Sequence, residues 1–326
     1  MAVLRAMGRT LGRLTGRAPA RLVEDYDDPE LPVVREAAEA ADWNLVQEMV
    51  LGRAEKNDGR ALMIWAVAET PGVERWIPKV IEAEPDAALP RLIGGFRQIS
   101  WGWEARTGAW AKHVSREQFQ TFHERLRTGE EWLFEAAERA PDWVAPWHGL
   151  LTTGRGLQVG QAVAHRRFQA AIRRDPHHFG VHISHMQQVC EKWGGSHEAM
   201  HEFAKTAALK APAGTWLGGL VADAHIEQWL RLEGGADDAY IVRPEVTASL
   251  NEAADHSYRH PDFDPEGPGV NVLNSFAMAF SLNEEPEAAR EAFAATEGRV
   301  TESPWHYLNG SDPVDSYKRM RSAAGR

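Results

Sequence analysis

His197-Glu198-Ala199-Met200-His201 is the stretch whose residue types and spacing come closest to a named chemistry. Residues four apart share a helix face. His197 and His201 would then present two imidazoles side by side, with Glu198 as a general base, the pattern of a zinc hydrolase. His182 and His185 precede them on the neighbouring helical segment, and His185 is the candidate third ligand. The same string also reads without a metal. Ser196 is a favourable N-cap residue, and an acidic Glu198 in the first turn suits the helix dipole. On that reading the expected cofactor is none, with zinc as the alternative.

The string lies inside Lys192-Trp193-Gly194-Gly195-Ser196-His197-Glu198. Two glycines between helices permit positive φ and a sharp reversal, so a plain helix-to-helix turn accounts for them. A helix N-terminus with free N–H groups, flanked by Lys192 and His197, would also receive an anionic group. All seven residues are therefore candidate binding residues.

A second candidate group is Trp101, Trp103, Glu104 and Arg106, with Trp110 close by, in a chain holding thirteen tryptophans. Residues two apart cannot share one helical face. At least one of Trp101 and Trp103 should therefore leave the main packing seam and turn toward a groove with Glu104 and Arg106. Trp143, Trp147 and His148 form a further cluster that reads as core. Nucleophilic catalysis has little support: Cys190 reads as a buried mid-helix thiol, and no Gly-x-Ser-x-Gly elbow occurs. No Walker or Gly-x-Gly-x-x-Gly phosphate loop occurs either.

The elements that must position these groups read as helices almost throughout. Ala164, Phe168 and Ala171, followed by Pro176, recur as Ala199, Phe203 and Thr206, followed by Pro212, at a spacing of 35 or 36 residues. That is the second-helix pattern of a tetratricopeptide-type repeat. Phe134 stands 34 residues before Phe168, and Ala289, Phe293 and Thr296 recover the spacing later. The expected fold is all-α, a tetratricopeptide-like α-solenoid of stacked antiparallel helix pairs. Helices are predicted near 32–41, 43–55, 58–69, 73–84, 87–112, 115–140, 143–153, 160–174 and 178–192, then near 196–210, 215–232, 244–259, 270–283 and 286–297. Residues 234–243 read as a loose loop. Ser115 with Gln118 makes a capping box, and Asp312-Pro313 opens a last helix. The expected organisation is a basic arm and acidic linker over 1–30, an N-terminal helical part over 31–140, and clear repeats with capping helices over 141–326.

Asp42–Val50, ISWGWEARTGAWAKHVS at 99–115 and CEKWGGSHEAMHEFAKTAALKAPAGTWL at 190–217 resemble an uncharacterised bacterial family common in actinomycetes. That family is described only as a domain of unknown function with helical-repeat character. The resemblance covers most of residues 30–235, with KWGGSHE its most specific part. It implies a helical fold and carries no established activity.

A formal net charge of −11 argues against nucleic acid as the main partner. A single cysteine excludes an intrachain disulfide and a thiol zinc cluster. No apolar run reaches the roughly 18 residues of a membrane span, and no secretory signal pattern is present, so a cytoplasmic location is expected. Residues 1–22 carry five arginines and no acid. Arg5, Arg9, Arg13 and Arg17 would form one stripe of a surface helix, although Gly8, Gly12 and Gly16 favour a mobile arm. Such an arm would meet a membrane surface, a partner or the chain's own acidic groove. Solenoids expose extended concave surfaces, so the expected role is a binding or scaffold protein that recognises a protein or peptide through that face. The alternatives are an enzyme using the HEAMH segment and a small-molecule pocket lined by Trp101, Trp103 and the KWGGSHE turn.

Overall fold

A computed structural model of the chain describes residues 18–53, 58–106, 114–308 and 312–325. The arginine stripe at 5–17, Trp110 and Asn309-Gly310 lie outside the described residues. The described chain is all-α, as its periodicity requires. Its helices are α1 (Glu30–Glu39), α2 (Trp43–Gly52), α3 (Gly59–Glu69), α4 (Val73–Ala83), α5 (Ala88–Arg106), α6 (Arg116–Arg139), α7 (Ala145–Gly156), α8 (Gln161–Ile172) and α9 (Phe179–Val189). They continue as α10 (His197–Lys210), α11 (Gly219–Trp229), α12 (Ala236–Ile241), α13 (Pro244–His256), α14 (Pro268–Leu282), α15 (Pro286–Ala295) and α16 (Pro313–Ala324).

The chain divides into two compact units: residues 28–196, and residues up to 27 together with 197–326. In the unit of residues 28–196, helices pack on the next in sequence and repeatedly on the one after: α1 on α2 and α3, α5 on α6 and α7, and α7 on α8 and α9. Val34, Val46, Ile64, Phe96, Leu126 and Leu150 are fully buried along this seam. α6 opens with the predicted capping box: Gln118 N donates to Ser115 Oγ at 3.2 Å, and Ser115 N donates to Gln118 Oε1 at 2.9 Å.

In the other unit, α11 packs against α10, α13 and α14, and α14 against α15 and α16. Two short strands, β1 (Arg21–Leu22) and β2 (Arg299–Val300), pair in parallel. Period-2 reasoning has no purchase on a pairing this short. Asp312 caps α16, its Oδ1 accepting from Val314 N at 2.8 Å and Asp315 N at 3.2 Å.

The repeat signature is buried in two places and displaced in two. Ala164, Phe168 and Ala171 are buried, as are Ala289, Phe293 and Thr296. On α10, however, the buried face is Met200, Ala204 and Ala208, while Ala199 is exposed and Phe203 half-buried. On α6, Leu133 is fully buried and Phe134 is 40% exposed. One residue rotates a helix face by roughly 100°, so each of these helices turns the position next to the matched one into its core.

Three local readings also change. Cys190 is buried but lies just past the C-terminus of α9 rather than mid-helix, its Sγ donating to Met186 O at 3.2 Å. The segment 234–243 contains α12. A 3-10 turn, Trp216–Gly218, precedes α11 where a continuous helix was expected.

Candidate functional site

Within the unit of residues 28–196, five elements surround an open cavity of about 520 Å³. Trp65 comes from α3 and Trp103 from α5; Thr152 and Arg155 come from α7; Ser184 and Gln187 come from α9; and Lys192 and Trp193 come from the 3-10 turn Glu191–Trp193. Thr152 and Arg155, like Ser184 and Gln187, are three apart, so each helix turns one face inward.

The turn that delivers Lys192 and Trp193 is dictated by its two glycines. Gly194 sits at φ 85°, a left-handed conformation costly for any residue with a Cβ. Gly195 approaches the preceding helix so closely that a Cβ would lie 1.9 Å from Val189 O. The turn's amides are engaged by that approach. Trp193 N and Gly195 N donate to Cys190 O, Gly194 N to Glu191 O, and Ser196 N to Val189 O, all at 3.0–3.1 Å. An anion meeting the residues 193–196 therefore finds no backbone donors left on them.

Aromatic surface dominates the walls. Trp103 and Trp193 meet edge to face, their ring centroids 6.4 Å apart. Trp103 also packs edge-on against Phe122 at 4.8 Å, and Trp65 against Phe96 at 4.8 Å. The Arg155 guanidinium lies 5.8 Å from the Trp193 ring centroid and donates through Nη1 to Ser184 O at 3.3 Å. Burial pulls its pKa down to about 10, which still leaves it cationic at neutral pH.

Behind the cavity lies a buried polar chain. Ser184 Oγ is 3.2 Å from His148 Nε2. The His148 ring is 5.4 Å from that of His178, and His178 Nδ1 is 2.8 Å from Asp58 Oδ1. Asp58 Oδ2 also accepts from Gly180 N at 2.8 Å. Burial pushes the Asp58 carboxyl up, but His178, the Gly180 N–H and His148 outweigh it and hold the group below the usual carboxylate range. Burial, reinforced by His178, pulls His148 down to about 3. His148 Nδ1 has no hydrogen-bond partner among the described residues. A histidine this weakly basic, with no carboxylate on its second nitrogen, does not activate a serine. Ser184 thus serves as a hydrogen-bonding group.

Three of the candidate residues named from sequence, Trp103, Lys192 and Trp193, meet at this cavity. Trp101 does not line it; its ring lies under the Arg125 guanidinium at 3.6 Å. Glu104 pairs with the buried Arg97 at 2.8 Å, and Arg97 also binds Glu74 at 2.8 Å, a structural network. Arg106 stacks on Trp103 at 5.3 Å. Gly194, Gly195 and Ser196 shape the turn, while His197 and Glu198 open α10 in the other unit.

The zinc alternative meets different surroundings. His201 Nε2 is 2.7 Å from Gln228 Oε1 and 3.2 Å from Tyr240 Oη. The chain continues from Tyr240 Oη to His225 Nδ1 at 2.7 Å, and from His225 Nε2 to Ser249 Oγ at 3.1 Å. His185 stacks on Phe168 with centroids 4.2 Å apart. Among the described residues no group of three or more His, Cys, Asp or Glu side chains is arranged to hold a metal ion.

Sequence reasoning missed Trp65, Thr152, Arg155, Ser184 and Gln187. The available signal was Arg155 itself, a lone charge in the otherwise uncharged run Gly149–Leu157. No family model matches the chain, and neither does any curated protein or solved structure to which it was compared.

Proposed function

We propose that this is a helical-repeat binding protein, its helix pairs stacked in a tetratricopeptide-like array, that takes a small ring-bearing ligand into the tryptophan-lined cavity. One observation carries the reading: Trp65, Trp103 and Trp193 converge with Arg155 and Lys192 around about 520 Å³ of open space. That lies within the roughly 300–1,000 Å³ of small-molecule sites, which pair aromatic walls with a few polar groups. A protein or peptide on a concave face has the repeat spacing as its support; the cavity supports a small ligand.

The test is calorimetric titration of the full chain with 2-naphthol and 2-naphthoate. Saturable one-to-one binding of at least one, weakened in both Trp103→Ala and Trp193→Ala variants that still melt cooperatively, supports the reading. Binding by neither probe, or binding unchanged in both variants, overturns it and returns the peptide reading to first place.

A further inference from the structure

We infer that the cavity selects a planar aromatic monocarboxylate, with Arg155 as the seat of its carboxylate and the tryptophan walls as the platform for its ring. This deepens the small-ligand reading above and rests on it.

Each of the buried arginines Arg91, Arg97, Arg167 and Arg299 has a carboxylate partner. Arg91 is held by Glu135 at 2.6 Å, Arg97 by Glu74 and Glu104 at 2.8 Å, Arg167 by Glu130 at 2.6 Å, and Arg299 by Glu266 at 2.9 Å. Removing a guanidinium from water without an opposite charge is costly, which is why each has a carboxylate. The half-buried Arg125 and Arg174 give their donors to backbone carbonyls and, among the described residues, have no carboxylate partner either. Of these half-buried arginines the one that lines the cavity is Arg155. It is half-buried at the cavity wall, and among the described residues no carboxylate lies within ion-pair distance. Its Nη1 contact is to a neutral carbonyl, and an arginine carries five N–H donors. The missing counter-charge is what a ligand would bring.

A second cavity shows the contrast. It measures about 450 Å³ and is bordered by Glu84, Asp142 and Arg139. There Arg139 is paired with Glu135 at 3.3 Å, so the protein has already neutralised the cation.

The class of anion follows from the donors present. Phosphate-binding sites gather backbone N–H groups from glycine-rich turns or helix N-termini. Here the amides of Trp193, Gly194, Gly195 and Ser196 are all engaged by backbone carbonyls. What remains is one forked guanidinium, whose geometry matches a carboxylate, with the Ser184 and Thr152 hydroxyls and the Gln187 amide near it. Lys192 is exposed at the same wall, where water screens its charge. The perpendicular Trp103–Trp193 pair offers one ring face and one ring edge, an arrangement that a flat ring extends.

The experiment compares isosteres on the full chain by calorimetry: 2-naphthoate, 2-naphthamide and 2-naphthyl phosphate. The carboxylate is expected to bind at least about tenfold tighter than the amide, since charge-assisted hydrogen bonds are roughly twice as strong as neutral ones. The phosphate is expected to bind more weakly than the carboxylate. Arg155→Met should abolish the acid-over-amide preference while amide binding persists, and Arg155→Lys should keep part of it. Lys192→Gln should leave most of it in place. Equal affinity for acid and amide overturns this inference and leaves the small-ligand reading standing. A phosphate bound more tightly than the carboxylate overturns the assigned class, and a preference lost in Lys192→Gln but kept in Arg155→Met overturns the assigned residue. Binding by none of the three overturns this inference, and if 2-naphthol also fails to bind, the small-ligand reading falls with it. The acid–amide comparison needs no variant, so it decides even if Arg155→Met fails to fold.

Discussion

Gly195 packs its Cα against the Val189 carbonyl so tightly that any Cβ would stand 1.9 Å from the oxygen. Its neighbour Gly194 has open space around the same position but holds φ at 85°. The two glycines therefore serve one turn for different reasons, one steric and one conformational. Gly194→Ala should cost about 1–2 kcal/mol, the penalty for a left-handed residue with a Cβ. Gly195→Ala should cost more, because the backbone of α9 must move. Urea unfolding of both variants checks the order; equal losses would mean that the turn relaxes freely.

Acid should weaken the fold before most of its carboxylates titrate. The exception is Asp223, which burial pushes up to about 6 and which partly offsets the trend as pH falls through that value. Burial pulls His148, His185 and His225 down to about 3, and His182 to about 4, from 6.5. Below pH 6.5 the unfolded chain therefore binds protons that the folded chain refuses. Stability is full above that pH and declines as pH falls, by up to about 1.4 kcal/mol per pH unit for each histidine. Asp58 acts lower down: its depressed folded pKa contributes stability above about pH 4 that is lost on further acidification. Urea midpoints at pH 7, 6 and 5 should fall in sequence, and a flat profile would contradict this assignment. At pH 7, Asp58→Ala should cost about 1–3 kcal/mol, because it removes the buried carboxylate that contacts His178 Nδ1 and accepts from Gly180 N.

Protein purified without a histidine tag, incubated with zinc and passed through a desalting column should retain it only substoichiometrically. His201 Nε2 is hydrogen-bonded to Gln228 and Tyr240, and a metal would have to break that chain. Elemental analysis reads the result. One equivalent of retained zinc that His201→Ala abolishes would restore the metal reading of the HEAMH segment.

The sequence determined what depends on neighbours along the chain. The 3.6-residue period declared the helices, Ser115 and Gln118 declared the start of α6, and the paired glycines declared the turn before α10. These are local interactions, made among residues a turn or less apart. The seams were less legible. Matching spacing pointed to Phe134 and Ala199, yet Leu133 and Met200 are the buried residues, because a one-residue rotation is decided by what packs opposite.

Only the tertiary structure decided the site. Trp65, Trp103 and Trp193 are far apart in sequence, and nothing in their spacing brings them to one wall. The state of Arg155 was equally hidden, since whether a charge has a partner is a fact about three-dimensional neighbours. Arg167, on the next helix, has Glu130 at 2.6 Å, whereas Arg155 faces open space and tryptophan. Sequence shows two arginines; folding makes one a strut and leaves the other facing the cavity.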